Sequence, residues 1–224
     1  MTDFIFRSAT LSDVQFLVDT IIEAEKSGTD ILTYSTIFGL TEEESRKYIA
    51  DMFLEEIHGC ELSVSSFLIA EKNNRIAAAV GAWIEGIEGI PSNVLKGNLL
   101  SFTLPKRCIE KAFLLAPILS ESHIDYIPNT IQIGVVYVSS DYRGMNLVSI
   151  LIDKHISQLI IKNPTVSEAY VQVFANNIPA IKAYEKADFK VQLIKEAPNK
   201  KISDYLPSDK KILMKREIYT QKNQ

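Results

Sequence analysis

Apolar and polar positions change their period several times along the chain, and each change marks an element. Phe4-Ile5-Phe6-Arg7 reads as a short strand. Apolar residues then recur at Val14, Leu17, Val18, Ile21 and Ile22, the spacing of one helical face, and the pattern stops near Gly28. Thr10, with Asp13 three positions on, predicts the cap of that helix. Thr41-Glu42-Glu43-Glu44 repeats the capping pattern, and a second helix follows through Tyr48, Ile49, Met52 and Phe53 to Ile57. Its acidic run suits the positive end of a helix and is read as structural. Ser66–Ala70 and Ile76–Glu85 are β-compatible runs separated by Asn73-Asn74, which predicts a hairpin.

Residues 86–130 are the least regular stretch, opened by Gly86, Gly89 and Pro91 and closed by Pro128 and Asn129. Lys106–Leu115 reads as a helix that Pro117 ends or bends. A connection of this length with its own helix suits a lid or a pocket wall. Beyond it the alternation is regular. Strands are expected at Ile131–Val138, Ala169–Phe174, Phe189–Ile194 and Lys211–Ile218. Helices are expected at Arg143–Ile161, ended by Pro164, and at Asn177–Ala187, while Lys195–Pro207 reads as a polar loop. The pattern predicts an α/β (α+β) protein: about seven strands in a mixed, mostly antiparallel sheet, covered by helices. We expect one domain over 1–224, with 86–130 inserted between the third and fourth strands.

Composition narrows the function. The net charge of −4 and the lack of a Lys/Arg-rich run argue against a nucleic-acid partner. Cys60 and Cys108 are far apart and make neither a metal spacing nor a disulfide framework. His58 and His123 have no partner at ligand spacing, so no metal is expected. The start of the chain lacks a signal-peptide core, and the apolar stretch Ile76–Ile84 is too short to span a bilayer. A cytoplasmic protein with no membrane partner is therefore expected.

Two segments carry candidate chemistry. In Val138-Ser139-Ser140-Asp141-Tyr142-Arg143-Gly144-Met145-Asn146-Leu147-Val148 a strand ends, a turn follows and a long helix begins. The first turn of a helix offers unpaired N–H groups and a partial positive charge, a ready anion site. Gly144 removes a side chain where a phosphate would approach, and Asn146 tolerates a left-handed backbone. An ordinary strand–helix turn reads equally well from these residues alone. In the second segment, Asn177 suits a helix cap and Pro179 the first turn. Ala180, Ala183, Tyr184 and Ala187 share one face, so Tyr184 either projects a phenol beside a close approach or packs in the core.

Taken together, the segments resemble the GNAT superfamily of N-acetyltransferases. Its acyl-coenzyme A signature reads Q/R-x-x-G-x-G/A after a strand that ends in a valine-like residue. Arg143 holds the first position and Val138 the strand end. The second family stretch, N-x-x-A-x-x-x-Y-x-x-x-G-F, is matched by Asn177, Ala180, Tyr184 and Phe189. Phe6-Arg7-Ser8-Ala9-Thr10 with Asp13 resembles the usual start of the family. Asn146 and Val148 replace small residues of the first stretch, and Asp188 the glycine before Phe189. Asn and Asp can adopt the glycine backbone; Val148 adds bulk near the pyrophosphate unless its side chain turns into the core.

The resemblance implies the GNAT fold, with acetyl-CoA as co-substrate and a small-molecule or peptide amine as acceptor. It implies that the backbone of Val136 and Val138 pairs with the pantetheine arm. The N–H groups of Gly144, Met145, Asn146, Leu147 and Val148 would hold the pyrophosphate beside Arg143, with Asn177, Ala180 and Tyr184 completing the cofactor wall. Tyr184 matches the family position of the acid that protonates the departing thiolate. Glu85, at the end of the third strand, is the first candidate for the base; a solvated strand-end carboxylate is the plainer reading. Glu88, Asp125, Tyr126 and Gln132 are weaker candidates, and His155 is expected to pack rather than to catalyse. The competing readings are a catalytically weak protein of this fold that binds acyl-CoA as a sensor, and an interaction module. In the latter Leu99, Leu100, Phe102, Phe113, Leu114 and Leu115 would form a partner surface. Those residues would otherwise cover the sheet or form a homodimer contact.

Overall fold

A computed structural model describes residues 4–87 and 89–218. Seven strands form one sheet in the order β1-β2-β3-β4-β5-β7-β6. They are β1 (Ile5–Ser8), β2 (Phe67–Lys72), β3 (Arg75–Ile84), β4 (Ile131–Val138), β5 (Glu168–Phe174), β6 (Lys190–Glu196) and β7 (Lys210–Glu217). Every neighbouring pair is antiparallel except β4 and β5. The helices are α1 (Val14–Lys26), α2 (Thr33–Phe38), α3 (Glu42–Leu54), α4 (Ser92–Thr103), α5 (Lys106–Ser120), α6 (Leu147–Lys162) and α7 (Ile178–Lys186).

Local signals place many of these ends. Thr41 Oγ1 accepts from Glu44 N at 3.1 Å, and Glu44 Oε2 accepts from Thr41 N at 2.9 Å, the reciprocal cap that starts α3. Asp13 accepts from Thr10 N at 2.8 Å and from the Arg7 guanidinium at 2.8 Å, which ties β1 to the start of α1. Asn73 and Asn74 both take positive φ, the backbone of a two-residue hairpin turn between β2 and β3.

The sheet is buried on both faces. Leu68, Val80 and Ala82 face α6 and pack on Leu151, Ile152 and Ile156. Phe67, Ile69 and Ala79 face the opposite side and pack on Ile21, Ile49 and Phe53 of α1 and α3. Burial on both faces explains the unbroken apolar run of β3, which alternation alone cannot.

Two expectations change. Pro117 does not end α5, which runs on to Ser120. The sequence pattern shows neither α2 nor α4. Of the apolar residues in 86–130, Leu99 is buried and Leu100 partly so, whereas Phe102, Phe113 and Leu114 lie open to solvent. No helix among the described residues is long and apolar enough to cross a membrane, and no cluster of His, Cys, Asp and Glu is arranged to hold a metal.

Glu85 follows β3 and is buried. Its carboxylate accepts from Trp83 Nε1 at 3.0 Å, Ser92 N at 2.9 Å and Ser92 Oγ at 2.5 Å. It therefore caps α4 and pins the indole. Replacing Glu85 by Ala strands these donors, and we expect a loss of about 3 kcal/mol, read as a lower urea midpoint at unchanged slope. His155 of α6 is also buried; burial pulls its imidazole down to about 4, opposed by the Ala82 backbone. The unfolded imidazole protonates near its ordinary value, so the unfolded state binds more protons between there and pH 4. Stability should thus fall by about 2 kcal/mol from pH 7 to pH 5. His155→Leu should flatten that part of the profile in urea titrations at each pH.

Candidate functional site

The site begins where two strands part. β4 and β5 pair only at Ile131, Gln132 and Ile133 against Ala169, Tyr170 and Val171. On its other edge β4 skips a residue against β3, since Gly81 faces Val135 and Ala82 faces Ile133. The bulged residue is Gly134. A Cβ there would lie 2.5 Å from Trp83 Cζ3, so the ring occupies the space a side chain would need. A bulge increases local twist and ends pairing. From Gly134 to Val138 the outer edge of β4 is left without a strand partner, and two chambers open along it.

The first chamber, about 500 Å³, lies between the end of β4, the start of α6 and α7. Gly144 at φ 80° and Asn146 at φ 58° turn the chain in the left-handed region, and α6 starts at Leu147. The helix therefore begins four residues later than the pattern predicts, after a loop that presents its first N–H groups to the chamber. Val148 lines the chamber but packs against the core, which removes part of its bulk from the opening. Arg143 donates from Nε to Val138 O at 3.4 Å and stays exposed at the rim. Asp188 takes φ 64°, so it too supplies the backbone of the glycine it replaces.

Of the residues expected to hold the cofactor, Val136, Val138, Arg143, Gly144, Asn146, Leu147, Val148, Asn177, Ala180 and Tyr184 all line this chamber. Met145 does not; its side chain points to solvent. Asn177 Oδ1 accepts from Ala180 N at 3.2 Å and caps α7, while its Nδ2 donates to Ser27 Oγ at 3.0 Å. Two residues join that the sequence reading missed, Lys182 and Lys186. They sit one turn apart on α7, a spacing that was visible in the chain. With Arg143 they make three cations in a lining that holds no carboxylate, which together with the free helix terminus fits a polyphosphate anion.

The second chamber, about 360 Å³, lies on the other side of Tyr184. It is walled by α1, α2, α4, the parted strands and β7, and it shares Val136, Asn177, Ala180 and Tyr184 with the first. Tyr184 is buried, its ring set edge-on to Phe189 at 6.2 Å, and burial pushes its phenol up to about 12. A phenol at the junction is therefore held neutral, as a proton donor. The charged residues of the chamber are Glu25, Glu61, Lys96 and Lys211. Lys96 pairs with Glu61. Thr33 donates to Glu25, whose carboxyl is raised above its usual range by burial, with Lys96 opposing and Glu61 adding. Tyr126 also lines this chamber, its phenol raised by burial. These residues come from five distant parts of the chain, so no local spacing could have grouped them.

Glu85 lines neither chamber, because its oxygens are committed to Trp83 and Ser92. Gln132 is buried and donates to Thr130 Oγ1 at 2.7 Å; Asp125 is exposed beside His123. Glu88 lies outside the described residues.

Solved structures share this fold. An N-acetyltransferase from Staphylococcus aureus Mu50 superposes with a TM-score of 0.65 at 14% identity, covering 95% of this chain and 100% of that one. A polyamine N-acetyltransferase from Drosophila melanogaster superposes with a TM-score of 0.56 at 12% identity, covering 96% and 100%. No curated protein matches the sequence. The family model described as "Acetyltransferase (GNAT) family" matches residues 33–189, from α2 through α7 to Phe189, which takes in the whole lining of the first chamber and most of the second, so the chain belongs to the GNAT acetyltransferase family.

Proposed function

We propose that this protein transfers the acetyl group of acetyl-CoA to a primary amine of a small molecule or peptide, by direct attack with both substrates bound. The observation that carries the reading is the position of Tyr184 on the wall common to a cationic chamber and a second, charge-balanced one. Acetyl-CoA supplies an activated acyl group on a thiol leaving group. The start of α6 with Arg143, Lys182 and Lys186 would hold its phosphates, and the open edge of β4 would receive its pantetheine amides.

An amine attacks only when neutral, so the acceptor must lose a proton first. Glu85 is spent as a cap; of the two carboxylates that line the second chamber, Glu61 is paired with Lys96, which leaves Glu25. We assign the base to Glu25. Its raised pKa brings it closer to that of the group it must deprotonate. Tyr184, kept protonated by burial, donates its proton to the thiolate as the carbon–sulfur bond breaks, and regains one from solvent. Tyr184 acts at the junction and Glu25 inside the second chamber, both from buried positions that exclude competing water.

Three measurements test the reading. Acetyl-CoA at about 100 times its dissociation constant should add about 2.7 kcal/mol of stability, a rise of roughly 5–10 °C in the melting midpoint. No rise at millimolar acetyl-CoA would sink it. Tyr184→Phe should lower turnover about 100-fold or more and leave that rise intact; an unchanged rate removes Tyr184 as the acid. The acid limb of kcat/KM should lie above the ordinary carboxylate range, because Glu25 must be ionised to work, and Glu25→Gln should abolish it. The Tyr184 phenol, protonated up to about 12, sets no alkaline limb between pH 7 and 10.

A further inference from the structure

The second chamber carries unsatisfied chemistry of two signs. Lys96 and Glu61 neutralise each other. That leaves Glu25 and Lys211. Glu25 receives one hydrogen bond, from Thr33, and no ion pair among the described residues. Lys211 lies over the Phe174 ring, 5.2 Å from its centre, and likewise has no ion pair among the described residues. Burial raises the carboxyl and lowers the ammonium, and the attraction of each group for the other offsets these shifts only in part. A third unused group joins them. The Tyr34 hydroxyl is buried in the wall and has no hydrogen-bond partner. Ile37, Phe38, Leu100 and Leu206 form an apolar part of the wall, and Ser27, Tyr126, Gln172 and Asn177 a polar part.

We propose that the acceptor is an α-amino acid with an apolar side chain, its amine set against Glu25 and its free carboxylate against Lys211. The proposal rests on the acyltransfer reading above and narrows it. A ligand with both charges satisfies both buried groups at once, and the apolar part of the wall at Ile37, Phe38, Leu100 and Leu206 takes its side chain. A polyamine fits poorly, since Lys211 opposes its added positive charge and would stay unpaired. The reaction completes the argument. One ammonium proton passes to Glu25, the nitrogen bonds the acyl carbon, and the carbon–sulfur bond breaks with its electron pair leaving on sulfur, which takes the Tyr184 proton; the nitrogen sheds its second proton to solvent, from which Tyr184 is reprotonated and to which Glu25 releases its own. The product keeps its carboxylate but has lost its ammonium, so its hold on Glu25 is gone and release follows.

The test uses leucine, methionine and phenylalanine, their carboxamides, and putrescine. Binding is read as a melting-point rise with coenzyme A present, and turnover as free thiol released from acetyl-CoA. The amino acids should raise the midpoint and be acetylated, with carboxamide KM values about tenfold or more higher. Lys211→Met should raise the amino-acid KM by a similar factor, leave the carboxamide KM within about twofold, and leave the acetyl-CoA shift unchanged. Carboxamides or putrescine used as well as the acids would overturn the proposal, as would a Lys211→Met variant that keeps the acid preference. If no amino acid binds, the proposal falls whatever other amine is acetylated. If the acids bind selectively but nothing is acetylated, the acyltransfer reading falls and takes with it the amino acid's role as acceptor, leaving only its binding site.

Discussion

The parting of β4 from β5 is the constraint from which the rest follows. Parallel strands in the middle of a sheet normally stay paired along their length, because an unpaired buried backbone group is costly. Here pairing stops after Ile133, at the position where Gly134 bulges from β4. The bulge tolerates only glycine because the Trp83 ring fills the space above it, and that ring is itself held by Glu85. The free edge of β4 becomes one wall of both chambers. α6 and α7 close the first chamber, and α1, α2 and α4 the second.

The two chambers differ in charge, and the difference is what makes them complementary. One gathers three cations and a helix terminus with no carboxylate, suited to a polyanionic ligand. The other balances two carboxylates with two ammoniums. Tyr184 stands between them as a neutral group, and burial extends the pH range over which its phenol stays protonated. A charged residue there would favour one ligand over the other; a phenol can give a proton across the junction without disturbing either field.

Much of this was legible where the determinant is local. The reciprocal cap of Thr41 and Glu44, the Asn73-Asn74 turn and the left-handed Asn146 and Asp188 all depend on neighbours in the chain, and each was readable. The donor-side residues cluster in two short stretches for the same reason. Lys182 and Lys186 are equally local, one helical turn apart on α7. What escaped is set by contacts distant in sequence. α2 is six residues long and has too little pattern to declare a period. α4 carries a weak apolar face and starts on a cap that comes from Glu85, outside the helix. The grouping of Glu25, Tyr34, Lys96 and Lys211 exists only once the sheet has formed.

Glu85 shows how a sound local argument can settle on the wrong role. A carboxylate at a strand end beside a cleft fits the description of a base, and nothing in the sequence says that Ser92 will fold back onto it. Once it does, the same charge acts on the positive start of α4. Lys96 lies one turn further along that helix and reaches Glu61 in the wall of the second chamber. The link from Glu85 through α4 to Lys96 therefore fixes the irregular segment to the core of the sheet. Through it, a connection that carries no motif becomes part of the second chamber's wall, while β4, α6 and α7 form the first.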